Sequence, residues 1–495
     1  MMKNDVFNSE EFRQIGHKLI DMLSNHLNQQ TERQRPVINW HDPVTENTKW
    51  QQALPTQPTL DANGLLQQLE ATILHNSLGV HHPRNMGHQV APPLPIAALC
   101  DLVAALTNQA MAIYEAGPSA TMLERQVAAW LCDLIGWQTH GVKSHGFLTS
   151  GGAQANLTAL LAARQFTGQN IAKTNIWQDG IAHHQLRILV SEHTHYSISR
   201  AAGIMGLGAN AVIKIACDNN GGMDVNALKQ AYQHCQQHNE IVMAVVATAG
   251  CTPTGSIDPL QAIGHYCNNE NLWLHIDGAH GASALLSTKH KHMLAGIELA
   301  DSVVWDGHKL LYMPAVVSAV LFKDAKNSYA AFAQEASYLF TDGADSNAHE
   351  QEFSHEFNSS YRTLECTKRM MGLKLWATFS LYGTQGLGDL IDSVFEKTLF
   401  FADKISQHSD FELLMQPQTN IVCFRYMQMG LNNIQLSAIE LDQTQKNIRQ
   451  KIVQSGAFHI TQVEHHGKLW LRTTIMNPMT NAEDFDALLS LIKEI

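Results

Sequence analysis

A lysine and a histidine stand side by side where an apolar segment of the sequence "DSVVWDGHKLLYMP" ends. Residues 302–305 have the composition of a short buried strand, and His308 and Lys309 follow it before a second apolar run begins. Lysine is rarely buried without a partner, and a desolvated lysine is driven toward its neutral amine. A neutral amine is the nucleophile that forms a Schiff base with a carbonyl compound. Taken alone, Lys309 is also consistent with a loop lysine whose amine lies in water.

The segment "TSGGAQAN" places two glycines between a predicted strand and a predicted helix. Backbone N–H groups at the start of a helix bind anions, and the helix dipole favours negative charge there. Ser150 adds a hydroxyl group, and Gly151, Gly152 and Ala153 supply backbone. These four residues are candidate phosphate ligands, although the segment matches neither GxxxxGK[ST] nor GxGxxG. The alternative is an ordinary glycine turn in which Ser150 caps the helix.

Three more polar residues follow other predicted strands. Asp277 in "LWLHIDGAHGAS" ends an apolar strand, His195 in "SEHTHYS" follows another, and Thr248 ends a third. Open α/β sheets bind ligands at the carboxyl edge of their strands. A buried carboxylate at that edge needs a cationic partner, and an imidazole there can stack on a flat ring. The alternatives are an aspartate that accepts backbone hydrogen bonds in a tight turn and a surface histidine near a helix start.

The combination of these residues is more specific than any one of them. A phosphate cradle, a histidine that can stack, a carboxylate for a ring nitrogen and a Schiff-base lysine occur at the ends of successive strands. Pyridoxal phosphate requires these groups, because it acts as an electron sink whose ring nitrogen a carboxylate keeps protonated. We therefore predict pyridoxal 5'-phosphate as the cofactor.

The sequence resembles the group II pyridoxal-phosphate-dependent decarboxylases, a family that includes glutamate, diaminobutyrate and aromatic amino-acid decarboxylases. The resemblance extends over nearly the whole chain. "TSGGAQAN" is similar to the family's phosphate loop, "HTHYS" to its stacking-histidine segment, "HIDGAHGAS" to its aspartate strand and "WDGHKLL" to its lysine motif. The resemblance implies a carboxy-lyase that converts an L-amino acid to an amine and CO₂. The implied substrate is acidic or diamino: glutamate, aspartate or 2,4-diaminobutyrate.

The resemblance also implies roles for individual residues. Lys309 is expected to form the covalent imine with the cofactor, and His308 to reach the phosphate or orient the lysine. Asp277 is expected to pair with the pyridinium nitrogen, while His195 and Ala279 contact opposite faces of the ring. The remaining implied contacts are Ser150, Gly151, Gly152 and Ala153 with the phosphate, Thr248 with the cofactor, and His88 and Arg472 with the substrate.

Two positions near the expected site depart from the family pattern. Asp306 stands where relatives have asparagine, and the resemblance gives this acid no role. In "HPRNMGHQVAPPLP", the letters "HPR" are shared with the acidic-substrate branch, but His88 falls where that branch has a glutamine. This segment is more similar to the diaminobutyrate- or aspartate-type bacterial branch.

The segment 338–366 is where relatives carry a mobile tyrosine that protonates the α-carbon. Here Phe353 or Phe357 falls near that place, and the nearest proton donors are Tyr361 and His355. Tyr361 is the candidate catalytic residue of this segment. In this family a phenylalanine there favours side reactions such as oxidative deamination, so an aldehyde-forming activity is an alternative.

Other activities are consistent with parts of the pattern. An aromatic amino-acid decarboxylase would use the same cofactor residues. An aminotransferase or desulfurase of the same fold type would keep Asp277 and Lys309, but would not need the adjacent histidine or the N-terminal helices. A non-catalytic binding protein would not need every cofactor-contacting position to be filled.

Seven short apolar runs alternate with helical stretches, which is typical of a sheet covered on both faces. The runs are 146–150, 186–191, 211–216, 241–248, 272–276, 301–305 and 316–322. We predict an α/β protein with a mostly parallel seven-stranded sheet, and the resemblance implies fold type I of the pyridoxal-phosphate enzymes. The expected domains are an N-terminal helical segment at 1–95, a large cofactor-binding domain at 96–375 and a small α+β domain at 376–495. Before the last helix, Thr480 and Glu483 have the spacing of a capping box.

Composition limits the possible partners and location. Of the 495 residues, 16% are charged, which is low against about 25% in soluble proteins and favours a large subunit interface. The resemblance implies a homodimer. A net charge of −12 argues against a nucleic-acid partner. The eight cysteines lack the spacing of a metal site, so we predict no metal. The N-terminus is polar, and no apolar run is long enough to span a membrane. We therefore predict a cytoplasmic protein without membrane contact.

Overall fold

The structure is a computed structural model that describes residues 6–137, 143–181, 185–332, 357–427 and 436–495. Two compact units are present. The first contains Met1–Val90, Lys397–Gln416 and Ile421–Ile495, and the second contains Ala91–Glu396 and Pro417–Asn420. The division into three domains predicted from the sequence stays a prediction.

The second unit contains a seven-stranded sheet, and all seven predicted strands are confirmed. The strands are β1 (His145–Thr149), β2 (Leu186–Ser191), β3 (Val212–Ile215), β4 (Ile241–Thr248), β5 (Leu274–Asp277), β6 (Ser302–Asp306) and β7 (Ser318–Phe322). Their order is β1-β7-β6-β5-β4-β2-β3. Strand β7 is antiparallel to both of its neighbours, and every other pair is parallel. The predicted mostly parallel α/β sheet is therefore confirmed.

Helices cover this sheet. Those of the second unit are α4 (Pro95–Thr107), α5 (Pro118–Ile135), α6 (Gly152–Thr167), α7 (Ile176–Asp179), α8 (Ser197–Ile204), α9 (Val225–Gln237), α10 (Leu260–Asn269) and α11 (Lys326–Ala330). Every residue of β1, β6 and β7 is buried. Strands buried on both faces have continuous apolar sequences, and this is why they could be predicted from the sequence. Helix α12 (Gly372–Ser406) follows, with non-helical dihedral angles at Gly383.

The parallel register brings polar strand ends together. Thr248 at the end of β4 pairs with Asp277 at the end of β5. Asp277 pairs with Val304, so that β6 continues two residues further, to Asp306. On the other side of β6, Asp306 pairs with Ser318 of β7. The side chains of Thr248, Asp277 and Asp306 are far apart in sequence, but they thus reach one edge of the sheet.

The first unit contains a four-stranded antiparallel sheet in the order β10-β11-β9-β8. Its strands are β8 (Phe411–Leu413), β9 (Ile421–Tyr426), β10 (Thr461–His465) and β11 (Lys468–Thr474). Its helices are α1 (Ser9–Thr31), α2 (Pro43–Trp50), α3 (Ala62–Gln68), α13 (Ala438–Ser455) and α14 (Ala482–Glu494). This small α+β architecture was predicted. Among the described residues, none of the helices combines the length and the apolar character that crossing a membrane requires.

The predicted capping box of the last helix is wrong by one residue. Asn481 is the N-cap of α14, and its partner is Asp484 instead of Glu483. Thr480 precedes the N-cap, and its hydroxyl group donates to the carbonyl of Pro83, 2.6 Å away. Asp484 also accepts hydrogen bonds from the guanidinium groups of Arg33 and Arg84.

Candidate active site

A cavity of about 220 Å³ lies in the second unit, where β4, β5 and β6 end. Its walls contain nine residues that were named from the sequence: Gly152, Ala153, His195, Thr248, Asp277, Ala279, Asp306, His308 and Lys309. Four more residues complete the lining: Asn156, Gly250, Thr252 and His280. The ends of parallel strands are the expected place for a ligand in such a sheet.

Lys309 is paired with a buried acid. Its Nζ lies 3.2 Å from Oδ2 of Asp306, and Nε2 of His308 lies 3.6 Å from the same oxygen. Asp306 also accepts a hydrogen bond from the hydroxyl of Ser318 and is only 2% exposed. Asp306 departs from the family pattern, and the resemblance gave it no role. Its position shows that it is the counter-ion of the lysine.

Asp277 is held by donors on both of its carboxylate oxygens. Oδ1 accepts from the backbone N–H of Ala279 at 3.2 Å, and Oδ2 accepts from the Nδ2 of Asn156 at 3.0 Å. Asn156 was missed in the sequence. The available signal was its place four residues after Gly152, which puts both on the same face of α6. Asn156 also contacts His275, two residues before Asp277 on the same face of β5.

His195 is positioned by the start of the next helix. Its Nδ1 lies 2.9 Å from the hydroxyl of Ser197 and also accepts from the backbone N–H of Ser197 at 3.3 Å. Burial lowers the pKa of His195, while the carboxylate of Asp277 acts in the opposite direction. The net direction is downward, so the imidazole favours its neutral form at neutral pH.

The glycine turn has the geometry of an anion site. Helix α6 begins at Gly152, and Gly151 at its N-cap has a φ of 135°, a value that favours glycine. A Cβ atom on Gly152 would lie 2.9 Å from Oδ1 of Asp306, so a larger residue there requires the carboxylate or the helix start to shift. Ser150 is exposed, and its hydroxyl donates to Glu365 at 3.0 Å. Ser150 and Gly151 do not line the cavity, whereas Gly152 and Ala153 do.

The donor set of the cavity fits pyridoxal phosphate. A lysine amine, a buried carboxylate and a helix start with glycine backbone lie around one space. The hydroxyl of Thr248 is buried without a hydrogen-bond partner in the described part of the chain, so a polar group of a ligand can satisfy it. The cofactor predicted from the sequence is therefore consistent with the side chains that are present.

Three more residues predicted from the sequence, Tyr361, His88 and Arg472, are described by the structure. Tyr361 ends the short helix Ser359–Tyr361 in the second unit and is not among the residues that line the cavity. His88 and Arg472 belong to the first unit. There the guanidinium group of Arg472 donates to the carbonyl of Gly87 at 3.2 Å. Phe353 and His355 fall outside the described residues.

Comparison with known proteins identifies the class. The family model described as "Pyridoxal-dependent decarboxylase conserved domain" matches residues 43–427. The chain therefore belongs to the pyridoxal-dependent decarboxylase family. It is a carboxy-lyase that acts on an amino acid with pyridoxal phosphate as its cofactor.

Particular relatives are moderately similar. The chain is 31% identical to L-2,4-diaminobutyrate decarboxylase of Acinetobacter baumannii, over 89% of this chain and 86% of the relative. It is 30% identical to aspartate 1-decarboxylase of Aliivibrio fischeri, over 96% and 90%. A solved structure from Vibrio parahaemolyticus is similar with a TM-score of 0.84 and 27% identity, and the match covers 98% of this chain and 95% of that one. It is the glutamate decarboxylase domain of a diaminobutyrate-pyruvate transaminase and L-2,4-diaminobutyrate decarboxylase.

Proposed function

We propose that this enzyme removes the α-carboxylate of an acidic or diamino L-amino acid, with 2,4-diaminobutyrate, aspartate and glutamate as the candidate substrates. The observation that carries the proposal is the convergence of Lys309 and Asp277 on one cavity in a chain of the decarboxylase family. Two relatives are named for 2,4-diaminobutyrate and for aspartate, and both of these carry a second ionisable group.

Lys309 is proposed to hold the cofactor covalently, and Asp306 to keep the lysine amine in place. The paired carboxylate at 3.2 Å fixes the end of a long, flexible side chain at the cavity wall. His308 packs beside the same carboxylate and orients this pair. When the cofactor is bound, it supplies an electron sink for the electrons that CO₂ leaves behind.

The remaining cavity residues are proposed to orient the cofactor. With the cofactor bound, the carboxylate of Asp277 would pair with the ring nitrogen, and His195 and Ala279 would contact the ring. The start of α6 at Gly152 and Ala153, with Ser150 and Gly151 before it, holds the phosphate. Thr248 offers its hydroxyl to the cofactor. Asp277 ends β5, Lys309 follows the end of the neighbouring strand β6, and both line the cavity, so both can reach one planar ligand.

His88, Arg472 and Tyr361 keep the roles that the family resemblance implies. Arg472 is proposed to meet a substrate carboxylate and His88 to contact the substrate side chain. Burial is the main cause of the lowered pKa of His88, and the positive charge of Arg472 lowers that pKa further. Tyr361 is proposed to return the proton to the α-carbon.

The enzyme is also proposed to be a homodimer. Helix α4 presents an apolar stripe to solvent at helical spacing, formed by Leu99, Leu102, Val103 and Leu106, the last of which is 66% exposed. Exposed apolar stripes of this kind usually mark subunit interfaces. Light scattering should give about twice the mass of one chain, and Leu106→Asp should shift the protein toward the monomer. A monomeric mass for the unsubstituted protein would contradict the dimer.

A cytoplasmic location is proposed as well. All eight cysteines are free thiols, in keeping with a reducing compartment. Fractionation of the native cells, followed by detection of the protein with a specific antibody, tests this location.

The test of function is a product assay on the purified enzyme loaded with pyridoxal phosphate. Release of CO₂ should be measured for glutamate, aspartate, 2,4-diaminobutyrate, cysteine sulfinate, tyrosine and tryptophan, with the organic product identified in each case. We expect equimolar amine and CO₂ from one of the first three amino acids. Lys309→Ala is the matched control and should release none. Aldehyde as the main product, keto acid as the product, or preference for an aromatic amino acid would each contradict the proposal.

A further inference from the structure

A continuous chain of buried hydrogen bonds leads from the sheet interior to the candidate site. The indole N–H of Trp273 donates to Oγ of Ser302 at 3.0 Å, and that oxygen lies 2.9 Å from Nδ1 of His275. Nε2 of His275 lies 2.9 Å from Oδ1 of Asn156. Asn156 then donates one hydrogen bond to Asp277 and one, at 3.0 Å, to Oγ of Ser197.

The carboxylate end sets the direction of this chain. An ionised carboxylate only accepts, so the Asn156 group that faces Asp277 is the NH₂ group. The amide oxygen of Asn156 therefore faces His275, and Nε2 of that ring must carry a hydrogen. A neutral imidazole carries one hydrogen, so Nδ1 of His275 accepts.

The tryptophan end agrees with that direction. An indole N–H only donates, so Ser302 must accept from Trp273, and its own hydroxyl hydrogen is free to donate to Nδ1 of His275. His275 is wholly buried, and burial lowers its pKa to about 4. The donor and acceptor assignments along these hydrogen bonds require a neutral ring at this position.

The branch through Ser197 reaches the second site residue. Because Ser197 accepts from Asn156, its hydroxyl hydrogen is available for Nδ1 of His195, 2.9 Å away. The backbone N–H of Ser197 donates to the same nitrogen. Both contacts make Nδ1 of His195 an acceptor and leave its hydrogen on Nε2.

We propose that Trp273, Ser302 and His275 are positioning residues that lock the Asn156 amide, and thereby hold Asp277 as a hydrogen-bonded carboxylate and His195 as its Nε2–H tautomer. These residues do not line the cavity and act through Asn156. The inference rests on the proposed function only where it concerns turnover, since the direction of the chain is a property of the protein without cofactor.

The direct test is nitrogen NMR on the cofactor-free protein labelled at histidine with ¹⁵N. His275→Gln and His195→Gln assign the two signals by their loss. We expect both rings to carry their hydrogen on Nε2 at pH 8, and His275 to stay neutral down to pH 6. Hydrogen on Nδ1 of either ring, or a cationic His275 at neutral pH, would overturn the proposal. This measurement needs no turnover, so it gives an answer even if no amino acid is decarboxylated.

A matched pair of variants tests the positioning role. The amide nitrogen of glutamine in His275→Gln can replace Nε2 and donate to Asn156, whereas the shorter asparagine in His275→Asn reaches only Ser302. We expect kcat to fall about tenfold or more in His275→Asn, because one hydrogen bond in an ionised network is lost. In His275→Gln that hydrogen bond is kept, so kcat should stay within about threefold of the original value. KM should change less than kcat in both. Equal losses of kcat in the two variants would contradict the proposal that His275 donates a hydrogen bond to Asn156.

Discussion

The carboxylate of Asp306 lies 3.2 Å from the Nζ of Lys309, three residues further along the chain. Asp306 is buried at the end of β6, and Lys309 lines the cavity beyond it. A half-buried lysine favours a counter-charge nearby, and here the acid that departs from the family pattern supplies it. We therefore expect the pair to stabilise the site before any cofactor is present.

A double-mutant cycle measures this pair. Asp306→Asn and Lys309→Met each leave one charge without its partner, so each should lower the free energy of unfolding of the cofactor-free protein. The double variant should lose less than the sum, with a coupling energy of about 1–3 kcal/mol. Urea unfolding of the four proteins gives this value. Strict additivity would show that the two charges do not interact.

Asp277→Asn tests the carboxylate that is proposed to face the ring nitrogen. An amide has a similar shape but no negative charge, so kcat for CO₂ release should fall by about 100-fold or more, the equivalent of roughly 3 kcal/mol. The cofactor should still bind, as its absorbance after gel filtration will report. Near-normal turnover with bound cofactor would remove Asp277 from the mechanism.

Gly152→Ala tests the close approach of the α6 start to Asp306. The new Cβ atom would meet the carboxylate at 2.9 Å, so either the acid or the helix start must move. We expect the dissociation constant of pyridoxal phosphate to rise about tenfold, a loss of about 1.4 kcal/mol. Gly203→Ala is the control, because a Cβ atom there meets nothing within 4 Å. Equal changes in the two variants would contradict the importance of this close approach.

Buried histidines predict a loss of stability in mild acid. Burial lowers the pKa of His82, His275 and His459 to about 4 in each case, with nearby positive charge adding to the effect at His82 and His459. In the unfolded chain these rings take up protons near pH 6.5, so between pH 6.5 and pH 4 the unfolded state binds more protons than the folded state. Stability is therefore full above pH 6.5 and falls as the pH decreases through this window, by up to about 3 kcal/mol for each ring.

Urea unfolding at several pH values measures this effect. His459→Gln should reduce the loss between pH 6.5 and pH 5, while His17→Gln on the exposed surface of α1 serves as the control. An unchanged free energy of unfolding from pH 7 to pH 5 would contradict the prediction.

Local sequence determined the strands and the order of the chemical groups. All seven strands of the large sheet lie where short apolar runs stand, because a strand buried on both faces must be apolar along its length. Lys309 and Asp277 could be selected because a charged residue directly after such a run lies at the sheet edge. The glycine turn before α6 was visible for a similar local reason: only glycine adopts its backbone angle without cost.

The tertiary structure decided the partners of these groups. Asn156 and Asp277 are 121 residues apart, and nothing local shows that one holds the other. Asp306 gained its role only when β6 and β7 placed it beside Ser318 and Lys309. Thr480 has the spacing of a helix cap, yet the structure places the N-cap at Asn481, and the hydroxyl of Thr480 donates to the carbonyl of Pro83. Hydrogen-bond partners are set by which strands and loops meet in space, and this is why sequence periodicity could name the chemical groups but not their connections.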